Sequence, residues 1–78
     1  MNRREKRIAK MRSSSGNIRF SEVDALLRHE GFVRFNQRGS HRTYHQADGR
    51  LLTIVVPHGG RNTCHPADIR RLLEVLGR

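Results

Sequence analysis

A short polar segment between residues 38 and 42 holds the side chains best suited to chemistry. It reads Arg38-Gly39-Ser40-His41-Arg42. An imidazole titrates near neutral pH, so it can accept or donate a proton during a reaction. Guanidinium groups bind a phosphate through paired hydrogen bonds and stabilise the charge that develops on it. The serine adds a hydroxyl, and the glycine allows the backbone to approach a ligand closely.

These groups suit the cleavage of RNA, because RNA carries its own nucleophile in the 2′-hydroxyl. An enzyme has to deprotonate that hydroxyl, protonate the leaving 5′-oxygen and neutralise the phosphate oxygens. His41 would act as acid or base, while Arg38 and Arg42 would hold the phosphate, and no metal or other cofactor is required. The residues alone leave a second interpretation open, in which His41 is a solvated side chain or a plain nucleic-acid contact.

Residue spacing argues against two other kinds of site. His41 and His45 are four residues apart, and on a strand this separates them by roughly 13 Å, too far to share a metal ion. His58, Cys64 and His65 lack the spacing of a zinc site. Cys64 and His65 are neighbours in sequence, which does not imply pairing in space. We therefore expect neither a metal centre nor a cysteine nucleophile.

The charge of the chain favours a polyanionic partner. Its 78 residues carry a formal net charge of +9, with a pI near 11.6. Such a balance is typical of proteins that bind nucleic acid, although an anionic membrane surface would also attract it. No apolar run is long enough to cross a bilayer, and no apolar segment follows the basic start as in a secretory signal. With a single cysteine, these features predict a cytoplasmic protein.

Sequence patterns predict two helices that enclose three strands. The apolar periodicity and the turn residues place these elements at 20–31 (helix), 32–37, 40–45 and 51–56 (strands), and 66–77 (helix). Asp48-Gly49 is a strong hairpin signal between the last two strands. The order α-β-β-β-α predicts an α+β two-layer sandwich, with both helices on one face of a three-stranded antiparallel sheet.

Local signals add detail to this prediction. Ser21 is the expected N-cap of the first helix, with Asp24 three residues on, and Gly31 is expected to end it. The apolar third strand is expected to be the buried centre of the sheet or its best-covered strand. Tyr44 should lie on the opposite strand face from His41 and belong to the core, whereas His45 shares the His41 face.

The first 19 residues stand apart from this pattern. Seven Arg or Lys residues occur within residues 1–20 against one Glu. Only Ile8 and Met11 form an apolar stripe, so the segment is interpreted as a basic arm or a short helix. Three serines and Gly16 follow as a linker or turn. We therefore divide the chain into an N-terminal segment, 1–19, and a main domain, 20–78.

Several motifs, in order, resemble the HicA family of small prokaryotic toxins. These are Gly31-Phe32, the segment "RGSHRTY", Asp48-Gly49, "TIVVPHGG" and a last helix that begins near Pro66. The resemblance covers roughly residues 20–77. Its most specific part is Gly-Ser-His at the opening of a strand. Residues 1–19 are additional to many members of the family, and Arg42 stands where members often have histidine or a small polar residue.

The resemblance implies a fold like that of a double-stranded RNA-binding domain, in agreement with the predicted element order. It also implies a metal-independent endoribonuclease, an mRNA interferase that inhibits translation as the toxin of a toxin–antitoxin system. The essential histidine of the family corresponds to His41, and the partner would be a HicB-type antitoxin that blocks the active site within a hetero-oligomeric complex.

Two non-enzymatic alternatives remain at this point. A double-stranded RNA-binding module of the same fold would hold RNA without cutting it, and a small DNA-binding or ribosome-associated protein would use the basic N-terminal segment. The module usually carries basic residues at the start of its last helix. Here that start reads "HPAD", which is not basic, so the RNA-binding module is the weaker interpretation.

Overall fold

The computed structural model describes residues 2–78 and contains three α-helices and one antiparallel sheet. In chain order these elements are α1 (Arg3–Ser13), a 3-10 turn (Ser15–Asn17), α2 (Phe20–His29), β1 (Val33–Arg38), β2 (His41–His45), β3 (Leu51–Val55) and α3 (Pro66–Val75). From α2 onward the order is the predicted α-β-β-β-α. This confirms the α+β fold resembling a double-stranded RNA-binding domain.

The sheet has the order β1-β2-β3, with both pairs antiparallel. The expectation that the third strand forms the centre of the sheet is therefore wrong, because β2 is central and β3 lies at an edge. The alternative, that β3 is the best-covered strand, agrees with its side chains, since Leu52 and Ile54 are both buried. Asp68 of α3 protects part of this edge, because its Oδ2 accepts a hydrogen bond from the Val55 backbone N–H at 3.0 Å.

One hydrophobic core lies between the helices and one face of the sheet. Tyr44, Leu52 and Ile54 supply the sheet side of this core, and Phe32 enters it just before β1. The helices supply Ile8, Met11, Val23, Leu26, Leu27, Ile69, Leu72 and Leu73. We call the opposite face of the sheet, which carries His41 and His45, the outer face.

Helix α1 is part of this core rather than a free arm. Ile8 and Met11 are only 2% and 1% exposed. Two basic side chains of α1 pair with acids of the α2 region: Arg4 forms two hydrogen bonds with Glu30, and the Lys10 ammonium lies 3.0 Å from Glu22. Asn2 caps the helix by accepting from the Glu5 backbone N–H. The thin apolar stripe in the sequence thus corresponds to a packed third helix.

Helix α2 begins one residue earlier than its predicted cap. Arg19 is the N-cap residue, and Glu22 rather than Asp24 occupies the third helical position. The Glu22 carboxylate accepts from the Arg19 backbone N–H at 2.9 Å, so the expected cap at Ser21 is wrong. At the other end the prediction is confirmed. Gly31 has φ of +89° and ends the helix, where the backbone N–H groups of Gly31 and Phe32 donate to the carbonyls of Arg28 and Leu27.

Helix α3 starts as its sequence predicts. Pro66 occupies the first helical turn, where its missing N–H costs nothing. The imidazole of His65 caps the helix, because Nδ1 accepts from the Ala67 backbone N–H at 3.0 Å. Gly77 has φ of +71° and ends the helix. His65 therefore has a structural role at the start of α3.

Candidate active site

The turn between β1 and β2 presents His41 beside Arg38. Gly39 adopts φ of +57°, a conformation that favours glycine, and nothing lies within 4 Å of the position its Cβ would take. The two-residue loop Gly39-Ser40 makes Arg38 and His41 cross-strand partners. Partners of this kind have Cβ atoms roughly 5 Å apart and share one face of the sheet. Both side chains lie in exposed positions, so they can approach the same phosphate.

Arg42 lies on the other side of the sheet. Its guanidinium is 4.9 Å from the centre of the Phe20 ring and 3.8 Å from Asp24, and its Nε donates to Gln37 at 2.8 Å. The side chain is only 16% exposed. The structure therefore places Arg42 on the opposite side of the sheet from His41. Arg38, Gly39 and Ser40 lie beside His41.

A depression adjoins the turn and brings in a residue from another part of the chain. Gly39 and Ser40 form one side, and Pro57 and His58 form the other. The depression is shallow and open to solvent, with a volume of about 410 Å³. The Ser40 carbonyl accepts from the Val56 backbone N–H at 2.6 Å and so ties the turn to the segment after β3. His58 is thereby placed next to the Gly-Ser-His turn.

A β-bulge in β1 determines which side chains join His41 on the outer face. Val33 pairs with His45 and Arg38 pairs with His41, so five steps along β1 match four steps along β2. The extra residue falls between Arg34 and Asn36. A bulge reverses the alternation of faces beyond it. Val33 and Arg38, an odd number of residues apart, consequently share the outer face.

Comparison with known proteins identifies the family. The family model described as the HicA toxin of bacterial toxin–antitoxin systems matches residues 20–77. The chain belongs to the HicA toxin family. No curated protein and no solved structure matches the chain significantly. The matched region begins at the first residue of α2 and ends just beyond α3, so α1 and the 3-10 turn lie outside it.

Family membership makes this chain a toxin of a toxin–antitoxin system. The "RGSHRTY" segment that carries the resemblance forms the turn and β2 of this HicA domain, with His41 as the first residue of the strand. His41 is exposed to solvent at this position.

The interior behind the site of this HicA domain is held by a buried tyrosine. Tyr44 is fully buried, as predicted, and its hydroxyl donates to Asp24 at 2.6 Å. Burial, with this hydrogen bond, raises the pKa of Tyr44 to about 12. Tyr44 stays protonated at neutral pH, which makes it a structural donor that fastens β2 to α2.

The remaining polar candidates do not form a second centre. Cys64 is buried, and burial, aided by the carboxylates of Asp68 and Glu22, raises the pKa of its thiol to about 11. A thiol in this state is a poor nucleophile. Among residues 2–78, no three His, Cys, Asp or Glu side chains are grouped closely enough to bind a metal ion. No helix in the same range has the length and apolar character needed to cross a membrane.

Proposed function

We propose that this HicA family member is a metal-independent endoribonuclease that cleaves mRNA in the cytoplasm and so inhibits translation. A HicB-type antitoxin would neutralise it in a hetero-oligomeric complex. The observation that carries the proposal is the pairing of an exposed His41 with Arg38 across a glycine turn, in a chain of the HicA toxin family. The net charge of +9 supports a polyanionic substrate.

In the proposed reaction, His41 performs one of the two proton transfers at the scissile phosphodiester. Its position on an open face allows an RNA strand to reach the imidazole without unfolding the sheet. Arg38, its cross-strand partner, binds the non-bridging phosphate oxygens and stabilises their charge in the transition state. The Gly39 backbone and the Ser40 hydroxyl lie beside the same phosphate and help to position it.

Arg42 does not take part in this proposal as a phosphate ligand. Its guanidinium is held by Gln37 and by the ring of Phe20, and a carboxylate lies nearby. Releasing it toward the substrate would break these contacts and move the charge to the other face of the sheet. We assign Arg42 to the packing of α2 against β2, which is consistent with its low exposure.

Cleavage of single-stranded RNA in EDTA tests the proposal. The wild-type chain should cut the RNA, and His41→Ala should lower the rate by about a hundredfold or more, the usual contribution of a general acid or base. His29→Ala is the matched histidine control, because His29 is exposed at the end of α2 on the helical side. If His41→Ala cuts at the wild-type rate while folded, the assigned role of His41 is wrong.

The arginine assignment has its own matched pair. Arg38→Ala should slow cleavage by on the order of a hundredfold, because it removes a donor to the developing charge. Arg34→Ala removes another exposed positive charge from the same strand, but Arg34 pairs with Tyr44 and thus lies on the other face. Equal losses in both variants would show that only the general positive charge matters.

The wild-type chain and His41→Ala also test the proposed antitoxin partner and the alternative of a non-catalytic RNA-binding module. His41→Ala should still form the complex with the antitoxin, since one exposed side chain is removed without disturbing the core. Retained binding of double-stranded RNA, with no cleavage of any RNA by the wild-type chain, would instead identify a binding module of this fold.

A further inference from the structure

The outer face of the sheet carries the four large hydrophobic side chains that are exposed among residues 2–78. Val33 and Phe35 of β1 are 60% and 67% exposed, and Leu51 and Val55 of β3 are 57% and 37% exposed. Contiguous apolar surface on a soluble protein commonly marks a binding site. This surface surrounds the strand that carries His41, so its occupant would lie beside the candidate active site.

The β1 bulge brings Phe35 to this face. Counted back from Arg38 by strict alternation, residue 35 would point toward the helical side of the sheet. The extra residue between Arg34 and Asn36 changes that, and Phe35 instead lies with its ring 5.9 Å from the ring of His45, at an angle of 48°. Bulges near active sites often redirect a side chain in this way. The bulge here therefore exposes an aromatic ring that regular pairing would have turned inward.

Phe35 differs from the other aromatic side chains of residues 2–78. Phe32 and Tyr44 are buried, and Phe20 is partly buried beneath the Arg42 guanidinium. Phe35 alone presents most of its ring to solvent, and no cation or helix covers it. An uncovered ring beside an imidazole is the arrangement on which an unpaired nucleobase can stack.

We propose that Phe35, flanked by His45, is a base-stacking subsite for the single-stranded RNA substrate. This inference rests on the proposed ribonuclease function and adds a second point of substrate contact to it. His45 lies four residues along β2 from His41, a distance of roughly 13 Å. The stacked base thus belongs to a nucleotide near the cleaved bond but not adjoining it, and the RNA strand runs along β2 across the outer face.

The charge of the molecule favours RNA over a protein as the occupant. The formal net charge is +9, and Arg38 lies on the outer face beyond the aromatic pair. A strand of RNA would place phosphate near Arg38 while a base covers Phe35. An apolar protein surface would gain as much from an aliphatic side chain at position 35 as from an aromatic one. This difference separates the two occupants experimentally.

The experiment measures RNA binding in the His41→Ala background, where the substrate stays intact. The probe is a fluorescein-labelled oligoadenylate about twelve nucleotides long, followed by fluorescence anisotropy. Phe35→Ala should weaken binding by roughly tenfold, and Phe35→Leu by a similar factor, whereas Phe35→Tyr should bind almost as well as the parent. Val33→Ala is the matched control, because Val33 lies on the same strand and face with similar exposure but has no ring.

A second probe isolates the base from the phosphate. An abasic sugar-phosphate oligomer of the same length carries the same charge but offers nothing to stack. Its affinity should be lower and should not change on substitution of Phe35. An equal loss on both probes, or a Phe35→Leu variant that binds like the parent, would overturn the subsite. Circular dichroism of each variant confirms that the fold is retained, as expected for an exposed side chain.

The outcomes distinguish this inference from the proposed function. Phe35-dependent binding of the oligoadenylate, in a chain whose wild type cuts no RNA, would refute the nuclease and retain the stacking subsite. If the wild type cleaves RNA and Phe35→Ala does not change RNA binding, the nuclease proposal is retained and the stacking subsite is refuted. If Phe35→Ala weakens only the complex with the antitoxin, the outer face is a protein-docking surface and the stacking proposal fails.

Discussion

Substitution of Ile8 by alanine is expected to destabilise the whole domain, although Ile8 lies outside the HicA family match. Residues 20–77 contain every element of the family fold. Nevertheless Ile8 is 2% exposed, and it shares one core with residues of α2, β3 and α3. If α1 were a mobile basic arm, its apolar residues would contribute nothing to stability. The substitution therefore tests whether α1 is an integral helix.

The expected loss is large compared with the total stability. Replacing a buried Ile, Leu or Met by alanine typically costs about 2–5 kcal/mol, through lost burial and the cavity left behind. A chain of this length is expected to have a free energy of unfolding of roughly 4–12 kcal/mol. Ile8→Ala should thus remove a substantial fraction of it. Adding Met11→Ala, which is one turn away and also buried, should leave little cooperative structure at 37 °C.

Urea denaturation followed by circular dichroism measures this loss. Ile8→Ala should lower the midpoint without changing the slope, which reports the surface exposed on unfolding. Lys6→Ala is the control, because Lys6 is exposed on the same helix and its loss should change stability by less than about 0.5 kcal/mol. Equal midpoints for Ile8→Ala and Lys6→Ala would refute the packing of α1 and restore the description of residues 1–19 as an arm.

Two further predictions follow from the shifted pKa values. The hydrogen bonds from Arg4, which outweigh the opposing effect of burial, hold the pKa of Glu30 below its usual value. Its contribution to stability is present above the unfolded pKa of about 4.3 and is lost as pH falls through the lower folded value. Glu30→Gln should therefore flatten the loss of melting temperature below about pH 5, and an unchanged profile would contradict the pairing. Because the thiol pKa is raised to about 11, Cys64 should react with a disulfide reagent at pH 7 about a hundredfold more slowly in the native chain than in urea. A rapid native reaction would contradict its burial.

The element order was predictable because its signals are local. Pro66 and the repeat of Ile69, Leu72 and Leu73 define α3, and the structure places that helix at Pro66–Val75. The turn at Asp48-Gly49 was predictable because a tight hairpin turn requires a residue with positive φ, which glycine adopts readily. Gly49 has φ of +98°. Such signals depend on a few neighbouring residues, so one sequence is enough to detect them.

Helix α1 shows where local signals are insufficient. Two apolar residues among ten mostly basic ones do not form a stripe wide enough to predict a buried helix. Its basic residues Lys10 and Arg4 pair with Glu22 and Glu30, which lie 12 and 26 residues further along the chain. Positive charge in the sequence indicated a polyanion contact, whereas part of it forms ion pairs within the fold.

The candidate site divides in the same way between local and non-local parts. Adjacent strand residues point to opposite faces, so the alternation that placed Tyr44 behind His41 also places Arg42 there, and the phosphate role expected for Arg42 neglected this. The pairing of Arg38 with His41 needs only a two-residue turn.

The bulge in β1 could not be predicted, because the sequence "VRFNQR" is equally compatible with a regular strand and with a strand that contains an extra residue. Only the pairing with β2 decides the register, and one step of register turns Phe35 from the core side to the outer face. Part of the proposed RNA surface is therefore set by strand pairing and not by any motif, so under this proposal variation in β1 alters RNA preference while "RGSHR" stays unchanged.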